Sequence, residues 1–106
     1  MSKHTPGPWL IAESVVSRHA ITNMRRIRSK NEGLEHGAVC DVYGIQDGSE
    51  ASANARLIAA APDLLADLQE ACDRIEDLVS RLGGTDPEKA TESYRATIAK
   101  ATGGAA

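Results

Sequence analysis

Before Ser49 the apolar residues of this chain alternate, and after it they recur every three or four positions. That change of period divides the 106 residues into a strand-forming half and a helix-forming half. In the first half, WLIAE at residues 9–13 reads as a strand. SVVSRHAI and MRRIRS, separated by Thr22 and Asn23, read as a second strand with room for a third. AVCDVYGI at 38–45 is the clearest strand, with Val39, Asp41 and Tyr43 on one face and Cys40 and Val42 on the other. KNEGLEHG at 30–37 is a loop, and QDGSE turns the chain into the helical half. In HTPGPW, residues 4–9, Pro6 and Pro8 fix φ and remove two donors, so this segment is a rigid extended lead-in to Trp9.

From Leu57 through Ala61, Leu65, Leu68, Cys72, Ile75 and Val79 to Leu82 the spacing is that of a heptad seam, which calls for a partner helix. That partner is either the C-terminal segment or a second copy. Pro62 falls within this run. Either the helix kinks after residues 59–61, or one helix ends there and another starts with Pro62 in its first turn, where Asp63 suits the N-terminus. Gly83 and Gly84 close the long helix. Thr85 or Asp86 caps a last one over 87–101, which carries Tyr94 and Ile98 on one face. The expected fold is α+β: an antiparallel sheet of three to four strands, a long kinked helix and a C-terminal helix. It forms one domain over residues 1–106, in which the antiparallel sheet takes residues 1–48, the oligomerising helices take 49–102 and a flexible tail takes 103–106.

The chain has no Phe, one Trp and two Tyr, and much of its apolar content is alanine. Burial stabilises by roughly 25 cal/mol per Å², so an alanine core yields little and self-association is the expected remedy. Cys40 and Cys72, far apart and without metal spacing, read as free thiols of a reducing cytoplasm. There is neither an apolar run of membrane-spanning length nor a signal-peptide pattern, which predicts a cytoplasmic protein with no membrane partner.

No phosphate-binding loop, dinucleotide fingerprint, nucleophile elbow or zinc-protease motif is present, and His4, His19 and His36 lack neighbours at nucleophile or metal spacing. Neither catalysis nor a cofactor or metal is expected. Binding has more to support it. Residues 15–30 carry Arg18, Arg25, Arg26, Arg28 and Lys30 and no acid, a local anion-attracting stripe on a chain of net charge −3. As a strand, this stretch places Arg26 and Arg28 on one face and Arg25 with Ile27 on the other. Asn54 and Arg56, expected near a helix start, add an amide and a second phosphate donor, or else a turn cap and a surface salt bridge. Nucleic acid is an unlikely partner for a net-acidic chain with so few stacking rings. A compact cyclic nucleotide needs two or three arginines and one ring, which the chain has.

HTPGPW followed by short strands and ANARLIAAAPDLL resembles a widespread group of small phage and prophage proteins, the two motifs bracketing residues 4–68. The architecture also resembles the Thoeris anti-defence sponges of phages, which pair an antiparallel sheet with two helices and form dimers and hexamers. This resemblance implies an anti-defence protein of the host cytoplasm that sequesters a cyclic ADP-ribose or cyclic oligonucleotide signal without cleaving it. It implies that Asn54 and Arg56 contact ribose and pyrophosphate in a pocket shared between protomers. Arg25, Arg26 or Arg28 would add a second phosphate clamp, Trp9 or Tyr43 would stack on the adenine, and Pro62 would bend the helix toward neighbours. Two other readings stand beside it. One is an inhibitor that meets a host defence protein through an acidic helical face of Glu70, Asp73, Glu76 and Asp77, in a half where residues 50–106 sum to −4. The other is an accessory phage protein that only oligomerises through its seam.

Overall fold

The computed structural model describes residues 4–15, 22–30, 38–45 and 49–104. Arg18, His19, His36, the 31–37 loop and the turn at 46–48 lie outside the described residues. Three strands, β1 (Trp9–Val15), β2 (Thr22–Ser29) and β3 (Cys40–Ile45), form an antiparallel sheet in the order β1-β2-β3. Helices α1 (Ser49–Ala59), α2 (Ala61–Arg81), α3 (Pro87–Ala90) and α4 (Glu92–Thr102) follow. The fold is α+β, as the change of period at Ser49 predicts.

The chain divides into two compact units, residues 5–63, and residues 64–106 together with 1–4. Strands give way to helices between Ile45 and Ser49, while packing groups the first helix with the sheet. Helix α1 belongs to the sheet, because its small side chains let it lie directly on the strands. Ala51 and Ala55, one turn apart, are fully buried, and Ala55 joins Ile27 and Val42 in the core with Trp9, Ile58 and Ala59 packed around it. Gly44 on β3 makes this approach possible. A Cβ there would sit 2.7 Å from the Ala51 Cβ and 2.8 Å from its backbone nitrogen, closer than atoms in a well-packed core tolerate.

Pro62 starts a helix; it does not kink one. Helix α1 stops at Ala59, Ala60 is a turn residue whose N–H still reaches the Arg56 carbonyl at 3.1 Å, and Pro62 is the second residue of α2. That position needs no amide donor. The proline also meets the lead-in segment, since a Cβ on Gly7 would fall 2.7 Å from the Pro62 Cβ. The lead-in is fixed to the strands as well. The Ser29 hydroxyl donates to the Pro6 carbonyl at 2.6 Å, the Lys30 N–H to that of Pro8 at 2.9 Å, and the Trp9 indole to that of Thr5 at 3.0 Å. The Gly7–Pro8 peptide is cis.

In the second unit the expected single helix over 87–101 is two. Asp86 caps α3, accepting from the Lys89 N–H at 3.2 Å, and the chain breaks at the buried Thr91 before α4. Gly103, at φ 71°, ends α4 in the left-handed conformation that glycine adopts without strain.

Gly44→Ala is expected to destabilise the protein by about 1–3 kcal/mol, because the added methyl overpacks the contact between β3 and α1. Gly104→Ala, where the added atom meets its nearest neighbour at 3.6 Å, is expected to change stability by under about 0.5 kcal/mol. Urea denaturation of both variants checks the pair.

Candidate functional site

Alternation along β2 sorts the basic residues. Arg25, Ile27 and Ser29 are buried on the side that α1 covers, while Met24, Arg26 and Arg28 lie on the other side, which no element among the described residues of the sheet unit covers. Pairing register completes that open face. Tyr43 stands opposite Met24, Asp41 opposite Arg26, and Leu10 opposite Arg28. On β1 a bulge between Ile11 and Glu13 shifts the register, so Glu13 becomes the partner position of Arg26.

Among the described residues the open face therefore mixes arginine and carboxylate positions with apolar residues and the ring of Tyr43. Arg26 is held by Asp41 across the strands, Nε donating at 2.6 Å and Nη2 at 2.8 Å to the two carboxylate oxygens. This bidentate geometry fixes the guanidinium plane. Those hydrogen bonds from Arg26 hold the Asp41 carboxyl below its usual range, and the charges of Arg26 and Arg28 add to the effect. Burial, with Asp41 next to it, raises the Cys40 thiol. Tyr43 is 61% exposed and Leu10 38%.

The residues singled out from the sequence do not gather in one place. Arg26, Arg28 and Tyr43 share the open face. Arg25 is on the opposite side and donates to the Met24 carbonyl at 3.1 Å, and Trp9 packs against the core there. Of the two rings named from the sequence, Tyr43 lies on the open face and Trp9 on the covered one. Asn54 and Arg56 are both exposed on α1. They stand well inside the helix, Arg56 in its last turn, so the helix start does not contribute to them as expected. Two helical positions differ by about 200° around the axis, so these side chains diverge. The residue between them is the one that packs: Ala55 faces the sheet.

Sequence reasoning missed a polar cluster in the second unit. Arg95 donates from Nε and Nη2 to the two Glu76 oxygens, both at 2.8 Å, and from Nη2 to Asp73 at 2.8 Å. The buried Thr91 hydroxyl donates to Glu76 as well. The hydrogen bonds from Arg95 and then Thr91 bring the Glu76 carboxyl down to about 2, and the bonds to Glu76 and then Asp73 push the Arg95 guanidinium up. A signal was present: Glu76 precedes Gly83 by seven residues and Thr91 follows Gly84 by seven, as in a helical hairpin closed by that Gly-Gly turn. The four acids read as a partner surface are all paired within the chain. Besides Asp73 and Glu76, Glu70 meets Arg74 at 2.7 Å and Asp77 meets Arg81 at 3.0 Å.

Among the described residues no group of three metal-ligating side chains converges, and no helix is long and apolar enough to cross a membrane. The fold and its surface define a small α+β protein whose sheet is covered by a helix on one face and open on the other, followed by a helical hairpin. Within that class, the chain belongs to the family of Salmonella phage P22 protein Y8K6, which matches residues 1–105. It is thus a small phage protein, as the two motifs suggest. No curated protein and no solved structure matches it.

Because its depressed carboxyl must be protonated when the protein unfolds in acid, Glu76 contributes stability that is complete above its ordinary value of 4.5 and is lost as pH falls toward about 2. The thermal midpoint is expected to fall through that window. Glu76→Gln should lower it at pH 7 and flatten its pH dependence below 4.5, as circular dichroism melts would show.

Proposed function

We propose that this phage protein is a non-catalytic binder that sequesters a cyclic nucleotide signal of host defence, cyclic ADP-ribose or a cyclic oligonucleotide, on the open face of its sheet. The observation that carries this reading is that Tyr43, Arg28 and Arg26 share one uncovered face. A purine on the Tyr43 ring would gain about 1–3 kcal/mol from stacking. Arg28 supplies a planar donor for a phosphate, and Arg26, whose charge Asp41 offsets, is held in a fixed plane beside it. Asn54 and Arg56 lie on the far side of the α1 layer, with the sheet between them and Tyr43. In this reading they reach the same ligand only from another copy, which agrees with a pocket shared between protomers. The resemblance to anti-defence sponges supports the ligand class.

The alternative, inhibition of a host defence protein through Glu70, Asp73, Glu76 and Asp77, has less support, because each of these carboxylates already has an arginine partner in the chain.

Native mass spectrometry with cyclic ADP-ribose isomers and cyclic di- and trinucleotides tests the proposal. The expected result is an integer number of ligands released intact on denaturation, with binding weakened at least about tenfold by Tyr43→Ala or Arg28→Ala, the loss expected when a stacked ring or a charged hydrogen-bond donor is removed. Loss of binding in Arg56→Ala as well would mark a ligand spanning two copies. A panel that is ignored throughout, or one bound equally well by both open-face variants, refutes it.

A further inference from the structure

Arg25 is the one arginine of β2 that the open face does not use, and it is only 9% exposed. Its guanidinium carries five N–H donors. Among the described residues they make a single hydrogen bond, from Nη1 to the Met24 carbonyl at 3.1 Å, and no carboxylate lies within ion-pair reach. Arg26, next in the chain, has both carboxylate oxygens of Asp41. Burying a charge is costly unless it is paired and hydrogen-bonded. A sheet unit closed by glycine and alanine gains little from burial to set against that cost. A methionine at position 25 would cover similar area without it. The charge of Arg25 therefore calls for an anion from outside the chain.

The position of Arg25 supplies the rest of an anion site. Gly44 abuts the first turn of α1, where a Cβ on it would fall 2.8 Å from the Ala51 backbone nitrogen. Gly44 pairs with Asn23, and Val42, two positions away, pairs with Arg25. Along the strand this is about 7 Å, which an arginine side chain covers. Its bond to the Met24 carbonyl turns the guanidinium back in that direction, toward the end of the sheet where α1 begins. The first turn of a helix presents amide N–H groups without intrahelical acceptors and the positive end of the dipole. Glu50, the acid of that turn, is exposed and forms no ion pair with Arg25.

We propose that Arg25 and the first turn of α1 bind a phosphate group between sheet and helix, the guanidinium fork holding it from one side and backbone amides from the other. Burial sets the size of the occupant: a phosphate group reaches Arg25, and any base or sugar attached to it stays outside. The strands separate this site from Tyr43 and Arg28, so it does not depend on the ligand proposed above.

Inorganic phosphate and the phosphate of a nucleotide share this chemistry, and adenosine monophosphate stands for the second source. In nitrogen–proton NMR of the full chain at constant ionic strength, the Arg25 Nε–H and Ala51 amide resonances should move with one or both. The expected dissociation constant is about 1 mM or tighter, and the thermal midpoint should rise by at least about 3 °C at tenfold that concentration. A response to inorganic phosphate assigns the free ion, and a response to adenosine monophosphate alone assigns a nucleotide's phosphate. Arg25→Met, which keeps the stem and removes the charge, should abolish the rise, whereas Arg28→Ala should leave it. Resonances that stay in place in both titrations of the wild-type protein overturn the proposal. So does a rise that persists in Arg25→Met, or one that Arg28→Ala abolishes, since the anion would then sit elsewhere.

Discussion

The backbone contact between Gly44 and Ala51 is the constraint on which the sheet unit depends. A chain with no Phe and one Trp cannot fill a gap between helix and sheet with large rings, so it closes the gap. Dispersion falls steeply with separation, and small residues gain from contact only when the backbones come near each other. Gly44, Ala51 and Ala55 supply that approach, and Ile27 and Val42 are the larger side chains buried with them. Once α1 is seated this closely, the sheet has a covered side and an open side, and each residue of β2 is assigned to one of them by parity.

The two sequence motifs that suggest a phage protein turn out to be one structural device. Gly7 of the proline-rich lead-in abuts Pro62 at the start of α2, and the lead-in is bonded to the end of β2 through Ser29 and Lys30. The lead-in thus ties the end of β2 to the turn that follows α1. Pro62 serves this contact while ending one helix and starting the next. An amide, a guanidinium and a proline in an alanine-rich segment therefore have separate reasons. Ala55 must be small to pack, its neighbours Asn54 and Arg56 are left to solvent, and Pro62 receives Gly7.

Much of this was legible from periodicity alone. Period two over 9–45 and period 3.6 after Ser49 indicated the fold class, and the parity of Arg26 and Arg28 against Arg25 followed from strand geometry. What could not be read was pairing between elements. The bulge at β1 changes which residue faces Arg26, and nothing in WLIAESV announces it. The break at Thr91 depends on a carboxylate fifteen positions earlier. Leu64 and Leu65 are both leucines, and only in the folded helix does their exposure differ. The seven-residue symmetry about Gly83 and Gly84 carried the one signal of that packing.

The candidate site inherits the same logic. A three-stranded sheet with one helix has a single open face, and residues on the two sides of it cannot meet within one chain, however close they are in sequence. Arg25 and Arg26 are neighbours on β2 yet serve opposite sides, one bonded to backbone beneath α1 and the other clamped by Asp41. The surface is shallow at Tyr43, which is 61% exposed. Affinity for a small ligand grows with the fraction of its surface that is enclosed, so an open face of this area reaches tight binding only if something closes over it. A second protomer is the simplest lid, and it is also the only route by which Arg56 and Asn54 could come to the ligand side. The proposed chemistry therefore makes assembly a condition of binding: tight uptake by an isolated protomer would contradict the geometry of its own sheet.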